Sequence, residues 1–200
     1  MATPSPSPAP RATEQHRAPQ RPASKLPASK QPAVDLVQLP PAAINALAAG
    51  DLDTANRLSP VPLTRHFSSD RQSLWKYRSA QLAAAPDDAG WVTGAIVDRT
   101  SGQAVGCAGF HGPPDTDGMV ELGYSVDPLL RRRGYARAAL ELLLARAARE
   151  PAVRTVRATV SPDNEASRNL VLQYGFVENG SQWDDEDGLE IIYEVSAGHQ

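Results

Sequence analysis

The chain has 200 residues, of which 41% are hydrophobic, and a formal net charge of −3 at pH 7. This is enough for one domain with a sizeable core. The single cysteine, Cys107, excludes an intramolecular disulfide and a cysteine-based metal cluster. No apolar run approaches membrane-spanning length. We therefore predict a cytoplasmic protein with no membrane partner and no metal site, in which Cys107 is a small core residue of an apolar strand.

The first 33 residues differ in composition from the rest of the chain. They are rich in Pro, Ala and Ser, and eight of the eighteen prolines fall between Pro4 and Pro32. Such a segment buries too little apolar surface to offset its ordering entropy, so we predict a disordered tail and a folded domain over residues 34–196. The tail carries an excess of four positive charges, which leaves a net charge of −7 for the remaining residues. An acidic domain argues against a nucleic-acid partner and is compatible with a cationic substrate.

The predicted elements after the tail begin with a short strand, "VDLVQLP", and continue with helices. Two short helices flank Gly50, and Asp51 is placed to cap the second. "SSDRQSLWKYRSAQLAA" predicts a longer helix. Its expected buried face consists of Leu74, Trp75, Tyr77 and Leu82.

The second half of the chain predicts mainly strands. "GWVTGAIVDR" and "AVGCAGFHG" form a hairpin, and "MVELGYSVDP" is a third strand. A helix with an apolar stripe at Leu140, Leu143, Leu144 and Ala147 follows, then the strand "VRTVRATVSP", the helix "DNEASRNLVLQY" and a closing hairpin. This order predicts an α+β fold with a mixed, mostly antiparallel sheet flanked by helices. Its one crossover runs from Met119 to Ser161, and ligands of open sheets gather where such a unit begins.

Three consecutive arginines, Arg131 to Arg133, stand directly before the helix of that crossover. The helix is predicted to begin near Arg133 or Gly134. A helix N-terminus carries a partial positive charge, so each cation there is unfavourable by roughly 0.3–1 kcal/mol. The arginines are either solvated and screened by salt, or they await an anion. Gly134 supports the second interpretation, in which the arginines bind an anion, because a residue without a side chain lets a phosphate approach the backbone.

Two motifs carry a resemblance to a known family. "RRRGYA", Arg131 to Ala136, resembles the acyl-CoA pyrophosphate signature Gln/Arg-x-x-Gly-x-Gly/Ala of the GNAT N-acetyltransferases. Asn164, Ser167 and the Gly175-Phe176 pair resemble the second acyl-CoA motif. The likeness covers roughly Trp91 to Val195 and is strongest to the branch that contains the ribosomal-protein alanine and serine N-acetyltransferases, many members of which acetylate small molecules instead.

The resemblance implies the GNAT fold and an N-acetyltransferase that uses acetyl-CoA as co-substrate. The acceptor would be a primary amine, on a small molecule or a protein N-terminus, attacking directly in a ternary complex. A monomer or homodimer is expected. The pyrophosphate would be held by arginine side chains and by exposed N–H groups at the helix start. The cofactor contacts that the resemblance implies are Val126, Arg131, Arg132, Arg133, Gly134, Tyr135, Ala136, Arg137 and Asn164.

Acetyl transfer to an amine requires a base and a group that assists the leaving thiolate. The resemblance suggests Glu121 as the base and Ser167 as the thiolate donor. Many relatives use a tyrosine acid where this chain has Val171. That departure leaves open a non-catalytic acyl-CoA-binding module. Asn164 has an alternative role as a helix cap.

Three further features have both functional and structural interpretations. Tyr124 either lines the acceptor pocket or packs in the core. His111 follows a strand near the expected acceptor side, but a lone histidine is weak evidence for a base or metal ligand. The acidic hairpin tip "DDEDG", residues 184–188, either attracts a cationic acceptor or is a solvated turn.

Overall fold

The computed structural model describes residues 31–185 and 188–198. Most of the predicted tail, and residues 186 and 187 of the acidic hairpin tip, lie outside these ranges. None of the helices in the described ranges has the length and apolar character needed to cross a membrane. The strands are β1 (Val34–Val37), β2 (Gly94–Asp98), β3 (Ala104–Phe110), β4 (Met119–Val126), β5 (Thr155–Val160), β6 (Val177–Asp184) and β7 (Gly188–Ser196). The α-helices are α1 (Pro41–Ala48), α2 (Leu52–Leu58), α3 (Arg65–Ser68), α4 (Gln72–Ala84), α5 (Tyr135–Ala147) and α6 (Glu165–Leu172).

The seven strands form one sheet in the order β1-β2-β3-β4-β5-β7-β6. All neighbouring pairs are antiparallel except β4 and β5, which are parallel and connected through α5. The predicted α+β class with a mostly antiparallel sheet is therefore confirmed. The closing hairpin joins the sheet through β7, and β6 forms its edge.

The parallel pair is short and divides the sheet. Residues Met119 to Glu121 of β4 pair with Thr155 to Arg157 of β5, and no pairing between the two strands continues beyond Glu121. On its other side β4 stays paired with β3 as far as Val126. Because β5 stays paired with β7 up to Val160, the sheet separates only between β4 and β5.

Helices cover both faces of the sheet, and each face has its own core. Leu140 and Leu143 of α5 pack with Val120 and Leu122 of β4 on one face. Trp75 of α4 lies on the other face with Cys107 and the α1 residues Ile44 and Leu47. Cys107 is 1% exposed, so its predicted burial in an apolar strand is confirmed.

The buried face of α4 differs from the prediction. Trp75 and Leu82 are buried as expected, but Tyr77 is 64% exposed and Arg78 is only 2% exposed. Trp75, Arg78 and Leu82 are spaced i, i+3 and i+7, so they share one face of the helix, whereas Tyr77 points away from it. Hydrogen bonds to neutral groups satisfy part of the buried guanidinium, as described below, which permits a charged residue at this position.

A substitution at Gly106 tests how closely β3 and β4 must approach near Val126, where β4 is no longer paired with β5. A Cβ atom at Gly106 would lie 2.2 Å from the backbone oxygen of Ser125. Gly106→Ala should therefore lower the free energy of unfolding by about 2 kcal/mol or more, since the strands must move apart. Gly90→Ala is the matched control because a Cβ there meets nothing within 4 Å. Urea denaturation measures both variants, and equal stabilities would contradict this account of the sheet.

Candidate active site

The unpaired part of β4 presents backbone groups to the gap between β4 and β5. The N–H of His111 donates to the Glu121 oxygen, and the N–H of Asp127 donates to the Val105 oxygen, so odd-numbered residues of β4 bond to β3. Backbone groups along a strand alternate in direction. Beyond the last paired residues, the N–H and C=O groups of Tyr124 and Val126 therefore point toward β5, where they have no strand partner. An extended ligand can pair with them as a strand would.

The arginine loop turns sharply into α5. Arg132 has φ of 65° and Gly134 has φ of 89°, and Gly134 is the cap residue of the helix. The helix begins at Tyr135, within one or two residues of the predicted start. The first-turn N–H groups of Tyr135, Ala136 and Arg137 have no partner within the helix, as at any helix N-terminus. The left-handed turn and these N–H groups together have the geometry that binds anions at other helix N-termini.

The four arginines of this region differ in their contacts. Arg131 Nε donates to the Val126 oxygen at 3.2 Å. Arg137 donates to the Tyr174 hydroxyl at 3.0 Å and to the side chain of Gln173, so it joins α5 to the end of α6. The exposed side chains of Arg132 and Arg133 form no ion pair with any described residue. These two guanidiniums are the free cations at the loop.

Two other predicted cofactor residues have structural side-chain contacts. The Tyr135 hydroxyl donates to Asp98 at 2.8 Å, which leaves its backbone N–H as the group directed to the anion site. The Asn164 side chain accepts the N–H of Ser167 at 3.1 Å, so it caps α6. The cap role that the sequence left open for Asn164 is thus observed, and Asn164 lines the same cleft as Ser167.

The gap between β4 and β5 is a cleft of about 200 Å³. Its walls come from α4, β3, β4, β5, the start of α6 and β7. The side chains that can take part in chemistry or recognition there are Arg71, Arg78, Cys107, His111, Tyr124, Thr159, Ser167 and Glu190. The cleft thus joins residues that are separated by more than a hundred positions in the chain.

Glu121 meets His111, a lining residue of this cleft, at one end of it. The carboxylate oxygen Oε1 of Glu121 accepts the Thr159 hydroxyl at 2.8 Å and lies 3.4 Å from His111 Nδ1. The His111 ring lies over Gly123, where a Cβ would be 3.0 Å from Nε2. Partial burial lowers the pKa of His111, Glu121 opposes that effect, and nearby Arg78 adds to it. The imidazole is therefore neutral at pH 7 and can accept a proton.

Tyr124 and Ser167 meet at another wall of the cleft. Their hydroxyl oxygens lie 2.8 Å apart. Burial raises the pKa of Tyr124, and the contact with Ser167 only partly opposes this, so the phenol keeps its proton at neutral pH. Val171 is fully buried in the core. Tyr174 donates to Glu141 and accepts from Arg137, so it faces α5.

The buried arginine of α4 shapes the same cleft. Arg78 donates from Nε to Thr93 at 3.3 Å, and from Nη1 to Gln81 at 2.7 Å and to the His111 oxygen at 3.0 Å. Its burial lowers the pKa of the guanidinium. Sequence reasoning missed Arg78, although its i+3 spacing from Trp75 was a usable signal. It also missed Arg71, for which the sequence offered no signal.

This fold agrees with the comparisons to known proteins. Residues 38–177 match the family model described as an acetyltransferase (GNAT) domain, and the chain belongs to this family. It is 33% identical over 84 residues to the uncharacterized N-acetyltransferase YjdG of Bacillus subtilis, which covers 42% of this chain and 50% of that protein. A second B. subtilis relative, the uncharacterized N-acetyltransferase YoaA, is 29% identical over 85 residues and is matched over 48% of its length. The match thus spans about half the length of these curated relatives.

Solved structures share the fold at low sequence identity. The ribosomal-protein-S5-alanine acetyltransferase of Vibrio fischeri has a TM-score of 0.56 and 20% identity, over 82% of this chain and 92% of that chain. RimJ of Mycobacterium smegmatis, solved with CoA-disulfide, has a TM-score of 0.56 and 21% identity, over 82% of both chains. MccE, a microcin C7 self-immunity acetyltransferase solved with acetyl-CoA and AMP, has a TM-score of 0.56 and 14% identity, over 82% of this chain and 92% of that chain. The expected GNAT fold is confirmed.

Gly134→Ala tests the anion site at the start of α5. The backbone there has positive φ, and the added Cβ would lie 3.0 Å from Pro32 Cδ. We expect a stability loss of about 1 kcal/mol and a clear loss of CoA affinity by calorimetry, because the strained turn no longer presents its N–H groups correctly. Gly180→Ala is the matched control, since φ is +94° and nothing lies within 4 Å. Unchanged CoA affinity in Gly134→Ala would remove the loop from the site.

Proposed function

We propose that residues 34–196 form an N-acetyltransferase domain that transfers the acetyl group of acetyl-CoA to a primary amine by direct attack in a ternary complex. One observation carries the proposal. The loop that can bind an anion lies at the end of the strand whose free backbone edge leads into the cleft with the Glu121–His111 and Tyr124–Ser167 pairs. A cofactor with a pyrophosphate at one end and a thioester at the other fits that path.

The cofactor would use the groups that the fold leaves without partners. Its pyrophosphate would bind the first-turn N–H groups of α5 with Arg132 and Arg133, through charge-assisted hydrogen bonds. Its pantetheine arm would pair with the β4 backbone between Val126 and Leu122, as an added strand does. Arg131 would close this edge through its bond to the Val126 oxygen. Asn164 lines the cleft at the opposite wall.

The incoming amine must lose a proton before it can attack. An alkylammonium has a reference pKa near 10.4, so a base is needed at neutral pH. We assign this role to the Glu121–His111 pair. The carboxylate next to Nδ1 favours the tautomer in which Nε2 is free, and Nε2 lies over Gly123 inside the cleft. Glu121 thereby sets the position of the ring and stabilises the imidazolium that forms.

The thioester end requires stabilisation of two developing charges. Backbone N–H groups of the unpaired β4 edge can donate to the carbonyl oxygen as it gains charge. Tyr124 can protonate the departing thiolate, because its phenol stays protonated and Ser167 holds it through a hydrogen bond. Ser167, which the sequence predicts as the group that assists the thiolate, would assist it together with Tyr124, to which it is hydrogen-bonded. No covalent enzyme intermediate is required for this sequence of steps.

The Tyr124–Ser167 contact also weighs against a non-catalytic binding module. That alternative depended on Val171 in place of a tyrosine. Tyr124 supplies a phenol from β4 to the same cleft as Ser167, so the absence of a tyrosine at position 171 does not remove the acid. Calorimetry with acetyl-CoA, followed by thiol release with a panel of amines, tests the proposal. Binding and turnover are expected, and absence of saturable acetyl-CoA binding would overturn it.

Tyr124→Phe tests the acid. Removing the hydroxyl should lower kcat by about 10²-fold with acetyl-CoA affinity unchanged, because the phenol acts only on the leaving thiolate. Tyr77→Phe is the matched control, since Tyr77 is exposed on α4. Steady-state kinetics and calorimetry are the measurements. A loss of less than threefold would exclude Tyr124 as the acid.

The pH profile tests the base. The lowered pKa of His111 predicts that kcat/KM rises with pH as the imidazole loses its proton, and levels off at a lower pH than an ordinary histidine would give. His111→Gln should remove this acid limb and reduce kcat by about 10²-fold or more. Glu121→Gln should shift the limb to lower pH, because its charge no longer favours the imidazolium. Glu178→Gln, on exposed β6, is the control. An acid limb that survives in His111→Gln would contradict the assignment.

A further inference from the structure

Two arginines of the cleft have no carboxylate partner. Arg78 is 2% exposed, and its hydrogen bonds go to a hydroxyl, an amide oxygen and a backbone oxygen. Arg71 is the residue before α4, its Nε is buried without a hydrogen-bond partner, and its guanidinium lies beside the Cys107 thiol. Among the described residues, neither arginine belongs to an ion pair.

Such an arrangement is unusual for charged side chains. Arginine is seldom buried unless it is paired, since an uncompensated charge in a protein interior is unfavourable. Nη2 of Arg78 also makes no hydrogen bond to the described residues, as its bonds use Nε and Nη1. Both arginines line the cleft. The wall formed by α4 is therefore cationic and has free guanidinium donors.

The cationic wall lies beside the proposed base. Arg78 contacts the backbone oxygen of His111, and the His111 ring lies over Gly123. Arg71 lies beside Cys107, which pairs with Ser125 across β3 and β4. An acceptor whose nitrogen reaches His111 thus has its other end within reach of these guanidiniums.

The carboxylates of the cleft occupy different positions. Glu121 is held by Thr159, and Glu190 on β7 accepts from Gln182 at 3.0 Å. Glu121 attracts Arg78 through space, but neither carboxylate forms an ion pair with Arg71 or Arg78. They are suited to an ammonium group, so the cleft has complementary places for both charges of a zwitterion.

We infer that the acceptor is a small amine that also carries an anionic group, a carboxylate or a phosphate, bound by Arg71 and Arg78. This inference rests on the proposed transferase function and gives it a substrate class. Guanidinium groups bind both anions through paired, charge-assisted hydrogen bonds. The cleft of about 200 Å³ would also receive the thioester end of the cofactor, so the space beside it suits only a small acceptor.

The experiment compares acceptors that differ only in the anionic group. The carboxylate pair is β-alanine and β-alaninamide, and the phosphate pair is O-phosphoethanolamine and ethanolamine. The peptide Ala-Ala-Ala-amide represents a protein N-terminus. Thiol release with saturating acetyl-CoA gives kcat/KM for each compound. Calorimetry on the CoA-loaded protein measures binding of the same compounds without chemistry.

Arg71→Gln removes the partly exposed cation and keeps the residue's size. Arg71→Lys keeps the positive charge but lacks the planar guanidinium group that can donate two parallel hydrogen bonds to one anion. Arg149→Gln, on the surface after α5, is the matched control. Arg78→Gln serves as a second variant only if its urea unfolding matches that of the wild type, because Arg78 also bonds α4 to the strands.

The wild type should prefer at least one anionic acceptor over its neutral partner by roughly tenfold or more in kcat/KM. Arg71→Gln should reduce that ratio by roughly tenfold with the neutral acceptor changed less than threefold, and Arg71→Lys should fall between the two. The two pairs distinguish a carboxylate from a phosphate. A preference for neutral amines or for the peptide, or a ratio unchanged by Arg71→Gln, overturns the inference and leaves the transferase function standing.

The binding measurements separate the two proposals. If anionic compounds bind the CoA-loaded protein through Arg71 but no amine is acetylated, the anion site stands and the transferase function fails. If no anionic compound binds or reacts, the inference is overturned whatever the fate of the other amines.

Discussion

The separation of β4 from β5 after three paired residues is the constraint on which the rest of the structure depends. A central strand that loses its neighbour exposes N–H and C=O groups that must find another partner, because unpaired backbone groups in an interior are costly. In this chain the separation leaves Tyr124 and Val126 of β4 with backbone groups directed into a cleft. The same strand leads into the arginine loop and α5. One local feature therefore creates the edge for an extended ligand and places an anion site at its end.

The local elements of the fold could be predicted from the sequence. Helix periodicity located α5, and the cap residues Asp51 and Asn164 were recognised by type. The loop motif could be recognised because its residues are contiguous, and the anion site that it predicts remains a prediction. Tyr77 was assigned to a buried face because it is aromatic, whereas helix geometry places Arg78 there. Residue type gave the wrong prediction for this face of the helix, whereas the spacing of the residues gives the right one.

The contacts that combine distant segments could not be predicted. His111 meets Glu121 because the hairpin register sets them opposite each other, and that register depends on the turn between β3 and β4. Tyr124 reaches Ser167 across 43 positions of the chain. Such pairs depend on how strands and helices pack in three dimensions, and a period of two or 3.6 residues contains no information about it.

Charge shows the same difference between global and local properties. The acidic balance outside the tail was compatible with a cationic substrate, yet the α4 region contributes two arginines to the cleft. Net charge describes the mean field of the surface, whereas recognition depends on the few groups that face the ligand. Burial strengthens those groups because the surrounding medium screens them less.

The central claim is that the free edge of β4 and the start of α5 bind one cofactor. Amide hydrogen exchange followed by NMR, with and without acetyl-CoA, tests it most directly. The account predicts that acetyl-CoA slows exchange at Tyr124 or Val126 and at Tyr135 to Arg137, while the odd-numbered residues of β4, already bonded to β3, change little. Protection elsewhere, or equal protection of odd and even residues along β4, would contradict it.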